Sequence, residues 1–91
     1  AVFHANVKGP LSEVDAAKSL AKHLKLDLLS VDVEDQHFVD QMADVVWHYE
    51  GPYSYHPNSI AFLAVSRLVR SAGVKAVLSG EGSDECFLGY P

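Results

Sequence analysis

The chain has 91 residues, 48% hydrophobic and 21% charged, a balance that suits one compact unit and leaves no obvious linker between two. Its net charge of −5, with seven Lys and Arg scattered along the sequence, lacks the basic footprint that a nucleic-acid partner requires. No stretch of about 18 apolar residues is present, so no membrane-spanning helix is expected.

Residues 1–7, with Val2, Phe3 and Val7, read as a strand that Lys8-Gly9-Pro10 closes. Ser12 is placed to cap a helix whose apolar positions Val14, Ala17, Ala21 and Leu24 recur every three or four residues. Asp15 near its start and Lys22 and Lys25 near its end complement the helix dipole. Leu28–Val33 is a second strand. Asp35 then caps a second helix, with Phe38, Met42, Val45 or Val46, and Tyr49 along one face, ending before Gly51-Pro52.

An irregular aromatic connector, residues 53–56, leads to Pro57, which suits the first turn of a third helix. Ile60, Leu63, Leu68 and Val69 supply that helix with an apolar stripe, and Gly73 is a natural stop. Residues 74–78 are short and apolar enough for a strand buried in a parallel sheet. Residues 79–85 form a Gly-rich acidic loop, with a new helix beginning near Ser83. The order β-α-β-α-α-β-loop-α argues for an α/β fold, a partial parallel sheet with flanking helices.

The chemistry concentrates in Ser79-Gly80-Glu81-Gly82-Ser83-Asp84-Glu85, at the carboxyl end of the expected third strand, where open parallel sheets bind ligands. Gly80 and Gly82 let the backbone turn sharply and approach a ligand closely. Ser83 can cap the following helix and leave its N–H groups facing an anion. The carboxylates of Glu81, Asp84 and Glu85 would repel a bare phosphate, but suit one bridged by Mg²⁺. A solvated surface turn uses the same residue types, and the residues alone leave both readings open.

The string Leu78-Ser79-Gly80-Glu81-Gly82-Ser83-Asp84-Glu85, followed by Phe87, Gly89 and Tyr90, closely resembles the second signature of the asparagine synthetase family. Ala16-Ala17-Lys18 to Leu24, Val45 to Glu50-Gly51-Pro52, and Asn58-Ser59-Ile60 to Ser66-Arg67 are similar in order and spacing, so the resemblance covers nearly the whole chain. It implies a fragment, residues 1–91, of a synthetase domain with the adenine nucleotide α-hydrolase (PP-loop ATPase) fold. Such enzymes activate aspartate with ATP and Mg²⁺ as a β-aspartyl-adenylate, which ammonia from glutamine, released in a glutaminase domain, converts to asparagine.

By motif position the resemblance places Ser79, Gly80 and Gly82 against the nucleotide, Glu81 as the catalytic glutamate and Asp84 at the Mg²⁺–pyrophosphate. Asn6, at the end of the first strand, falls where the family cradles adenosine. Two positions depart from the family: Leu88 stands where members often carry a second glycine before the tyrosine, and Cys86 replaces a more usual aliphatic residue. The acyl substrate therefore stays open between aspartate and another carboxylate, and a non-catalytic nucleotide-binding module is a third reading. A homodimer is among the options, and the oligomeric state is open.

The family's first signature, a Ser-Gly-Gly-x-Asp-Ser pyrophosphate loop, is not in these residues, nor are the rest of the synthetase domain and the glutaminase domain. The resemblance places the strand carrying that loop between the first and last strands here, so the chain alone is expected to be inactive. With a single cysteine and no basic, apolar leader in AVFHANVKGP, a soluble cytoplasmic protein is the simplest expectation.

Among the remaining residues, His4, His23, His37, His48 and His56 have no i, i+4 pair of the zinc-hydrolase kind and read as surface or helix-end histidines. Trp47, Tyr49, Tyr53 and Tyr55 read as core or partner packing before a substrate wall. His56 and Asn58 lie along the family's aspartate-site segment. Cys86 reads as a buried structural thiol before a reactive one.

Overall fold

The computed structural model describes residues 1–10, 12–51 and 58–89. Two strands, β1 (Val2–Val7) and β2 (Leu28–Val33), pair in parallel, with Val2 opposite Leu28 and Val7 opposite Val33. Parallel pairing requires a crossover, and α1 (Val14–Leu24) supplies it. Backbone bonds from Val2 N–H to the Asp27 carbonyl (2.7 Å) and from Lys8 N–H to the Val33 carbonyl (3.2 Å) extend the ladder at both ends. Ser12 sits one residue outside the α1 N-cap, Glu13, and its Oγ accepts the Val14 N–H at 3.4 Å. The helix ends where Lys25 turns left-handed and its N–H bonds the Lys22 carbonyl.

The single helix expected over 35–50 is two. Gln41, at φ −102° and ψ 3°, separates α2 (Asp35–Asp40) from α3 (Met42–Tyr49). Glu34, in extended conformation, caps α2 in place of Asp35 and closes a capping box with His37, whose Nδ1 accepts the Glu34 N–H at 2.8 Å. Pro57 and the 53–56 connector lie outside the described residues. The next helix, α4 (Ser59–Ser71), opens after Asn58, and Gly73, at φ +75°, follows its C-cap as expected.

Ile60 is 0% exposed, and together with Val33 and Val45 it forms the core, with Ala5, Phe38, Leu63 and Ala64 packed around it. Ala5 and Val33 share one sheet face by alternation, so α4 covers that face. Each such buried aliphatic side chain contributes about 1.5–3 kcal/mol. The other face carries His4, Asn6 and Asp32, and the segment entering α1 meets it at Ser12.

The third strand expected at 74–78 does not form. Val74 N–H bonds the Val69 carbonyl, closing the end of α4, and no other chain segment pairs with 74–78 among the described residues. A strand is stable only with a neighbour on its edge. Without one, Leu78 is fully exposed, and every described residue from 70 onward is exposed. The sheet is therefore two-stranded, with the outer edges of both β1 and β2 unpaired among the described residues. The fold is α/β with a parallel sheet and flanking helices, and none of its described helices is long and apolar enough to cross a membrane.

Candidate active site

The acidic loop is a tight turn running into a one-turn helix. Gly80 accepts the Ser83 N–H on its carbonyl at 3.0 Å, and Gly82 caps α5 (Ser83–Phe87) in place of Ser83. Gly82 sits at φ +88°, a conformation that an L side chain disfavours, so here the glycine is needed for the backbone itself. Gly80 carries no such requirement. A Cβ added there would stand 3.8 Å from Ser83 Oγ, in ordinary contact.

Beyond α5 the backbone folds back on Asp84. Gly89 N–H bonds the Asp84 carbonyl at 3.1 Å, and a Cβ at position 89 would collide with Asp84 Oδ1. Gly89 thus makes the room that the Asp84 carboxylate occupies. Leu88, just before it, holds φ +56° and caps α5 in the left-handed conformation natural to glycine, the residue the family resemblance expects near this point. The Glu81 and Asp84 side chains find no partner among the described residues, so both carboxylates stand free for a ligand. Among those residues no three His, Cys, Asp or Glu side chains converge on a common point. Asp84 would hold a metal as a lone protein ligand, a donor set that fits Mg²⁺, which keeps waters and takes substrate phosphates.

Asn6 lies elsewhere, at the carboxyl end of β1, in a network the sequence reading did not foresee. Its Nδ2 donates to Asp32 Oδ1 at 2.8 Å, directly across the β1–β2 register, and its Oδ1 accepts from Ser12 Oγ at 2.6 Å. Lys8 Nζ reaches Asp32 Oδ2 at 3.3 Å and Glu34 Oε1 at 2.6 Å. The hydrogen bonds from Asn6 and then Lys8 hold the Asp32 carboxyl below its ordinary value, and Lys8 does the same to Glu34. In return, Glu34 and Asp32 raise the Lys8 ammonium above its ordinary value. The signal was present in the spacing: polar pairs Asn6/Lys8 and Asp32/Glu34, two apart, close two apolar strands on one face.

The hydrogen bonds of Asn6 run to Asp32 and Ser12, while the backbone bonds of the 79–85 loop run within the loop and to residues 86 and 89. An open pocket of about 300 Å³ lies between β2, α2 and α4, lined by Val31, His37, Gln41 and Arg67 among others, and no loop residue borders it. Arg67 crosses from α4 to pair with Asp44 on α3. Three expectations need correction. Cys86 is exposed, because α5 packs on nothing that would bury it. Trp47 and Tyr49 are 80% and 56% exposed, so neither is core packing; Trp47 sits two residues from the core residue Val45 and faces away from it. His4 has its Nε2 buried without a partner among the described residues, so it is not a surface histidine. His23 and His48 do occupy the last turns of α1 and α3, and His56 lies outside the described residues.

The sequence model of the asparagine synthase family matches residues 1–91. The chain belongs to that family. Curated relatives agree: glutamine-hydrolyzing asparagine synthetase 1 of Bacillus subtilis (strain 168) is 34% identical over 87% of this chain and 12% of its own length. Glutamine-hydrolyzing asparagine synthetase 2 of Oryza sativa subsp. japonica is 37% identical over 97% of this chain and 15% of its own. Amidase chyE of Penicillium rubens is 36% identical over 81% of this chain and 11% of its own. This asparagine synthase family chain thus spans only a small part of the length of the relatives it matches. No solved structure matches it.

Proposed function

We propose that the chain is one wall of the ATP site of an amide-forming ligase, in a synthetase domain of the adenine nucleotide α-hydrolase, PP-loop ATPase type. The observation that carries this is the free Glu81 and Asp84 pair on a turn shaped by Gly82, in a chain of the asparagine synthase family. In this reading ATP takes up the side-chain carboxylate of aspartate, forming β-aspartyl-adenylate and releasing pyrophosphate. Ammonia then attacks the acyl carbon and AMP leaves.

Glu81 holds and deprotonates the incoming nitrogen nucleophile, a general-base role for a carboxylate that needs no other partner. Ser79, Gly80 and Gly82 follow the nucleotide with backbone groups. Asp84 would hold Mg²⁺, which supplies charge neutralisation at the phosphates. Asn6 borders the adenosine. The ammonia comes from a glutaminase domain, the setting is the cytoplasm, and the 91-residue chain alone is inactive.

The test uses a protein spanning the length of the curated relatives and carrying this chain. Aspartate-dependent exchange of pyrophosphate into ATP is expected, lowered by Asp84→Asn. Glu81→Gln should leave that exchange in place and lower asparagine formation. Exchange that ignores Asp84→Asn, or asparagine formation that ignores Glu81→Gln, sinks the assignment, and pyrophosphate release by the isolated chain sinks its inactivity. A second reading, amidation of another carboxylate, follows from Leu88 and Cys86, which stand where the family more often has a second glycine and an aliphatic residue. Exchange supported by a different carboxylic acid, and not by aspartate, would select it.

A further inference from the structure

A glycine is required at a turn either for a backbone that other residues avoid or for a space that only a hydrogen fills. Gly9, Gly73 and Gly82 are the glycines at positive φ among the described residues, and Gly89 is not one of them. Nothing in its φ excludes an L residue, but its surroundings do. A Cβ at 89 would collide with Asp84 Oδ1 and stand 3.0 Å from Asp84 Cγ and 3.2 Å from its Cα. Leu88 brings the two residues together. Its φ of +56° turns the chain back, and Gly89 N–H then reaches the Asp84 carbonyl at 3.1 Å. The worst of the collision is thus with the tip of a side chain, which can swing away, and the approach to Cα needs only a small shift of the backbone.

An aspartate side chain chooses among a few staggered wells. The well that Asp84 occupies stays open only while position 89 lacks a Cβ, so a larger residue there would swing the carboxylate into another well. The swing costs little stability, because residues 83–89 are exposed and keep their shape by local backbone bonds. It does move the carboxylate oxygens from their place. Mg²⁺ demands near-octahedral geometry, and among the described residues it would meet the protein through Asp84 alone, with water and phosphate oxygens at its other positions. With a single protein oxygen as anchor, no second ligand corrects a displacement. We infer that Gly89 is a positioning residue: its missing side chain holds the Asp84 carboxylate in the rotamer that receives Mg²⁺·ATP, while Gly89 itself touches neither metal nor nucleotide. The inference rests on the proposed role of Asp84.

The experiment measures the dissociation constants of ATP with Mg²⁺ and of ATP with the metal chelated, for the full-length protein and for Gly89→Ala and Asp84→Asn, singly and combined. Gly89→Ala is expected to weaken Mg²⁺·ATP binding about tenfold, the scale of losing a group that orients a metal ligand. Metal-free ATP binding and the unfolding midpoint should stay where they are. In the Asp84→Asn protein the same substitution should add nothing, since both changes act through one carboxylate. Gly89→Ser, which brings the same Cβ, gives the same reading if the alanine variant does not fold. Equal weakening with and without the metal would mark a turn of structural importance only and overturn the inference. Mg²⁺·ATP binding unchanged in Gly89→Ala, or full additivity with Asp84→Asn, overturns it too, while leaving Asp84 at the metal. Mg²⁺·ATP binding unchanged in the Asp84→Asn single variant instead removes the proposed role of Asp84 itself.

Discussion

Residues 1–71 and residues 72–89 are built on opposite principles. The first region buries Val33, Val45 and Ile60 almost completely and ties its strand ends together with charged and amide groups. The second is exposed throughout and holds its shape through local backbone bonds, from Ser83 N–H to Gly80, Cys86 N–H to Gly82 and Gly89 N–H to Asp84. The region richest in chemical motif is thus the one least fixed by packing. Shape is inherited from the core in one case and from turn stereochemistry in the other.

Substitutions should separate the two cleanly. Ile60→Ala, at the most buried position, is expected to cost about 2–5 kcal/mol of stability in chemical denaturation. A loss under 1 kcal/mol would show that the core is not where the burial places it. Glu81→Gln should lower amide formation by about 100-fold or more, the usual worth of a general base, with the unfolding midpoint unmoved. Gly82→Ala, forcing a side chain to φ +88°, should distort the turn at a local cost of about 1–2 kcal/mol. Because α5 is exposed, that cost should weaken nucleotide binding and leave global unfolding alone. A cooperative loss of stability would instead tie the loop to the core. Leu88→Gly works in the other direction, relieving the left-handed cap without losing packing, and should favour α5 by about 1 kcal/mol. Protection of the α5 amides from hydrogen exchange would report it.

The smallest effect is electrostatic. Asp32 and Glu34 have carboxyls lowered in the folded chain, so their contribution is complete above the ordinary values of 3.8 and 4.5 and is lost as pH falls through the lower folded values. Lys8 is raised from 10.5, so its share is complete below that value and fades as pH climbs past it. All three side chains are solvent-exposed, so salt should mute the acid limb. Lys8→Met should flatten that limb, and an unaltered acid profile would remove the pair from the account.

Much of this was legible in the residues. Lys8-Gly9-Pro10 closes β1, the spacing of Val14, Ala17 and Ala21 gives α1, and Gly73 and Gly82 stand where left-handed turns end α4 and open α5. What escaped depends on neighbours that a linear pattern does not name. Residues 74–78 have strand composition, yet a strand also needs an adjacent edge. Cys86 has the character of a buried residue, yet burial needs something on top. The break at Gln41 follows from the bend between α2 and α3, where apolar spacing alone reads straight through. For the site, the motif led to Glu81 and Asp84, whereas the partners of Asn6 emerge only when the β1–β2 register sets Asp32 opposite.

The unpaired outer edge of β1 has a practical meaning for anyone handling the 91 residues by themselves. A row of open amide and carbonyl groups is a template for whatever strand arrives first. In a dilute sample that visitor is rare; in a concentrated one it is another copy. The open edges of the two strands therefore lower the working concentration of the isolated chain, and its net charge of −5 delays the encounter without closing them.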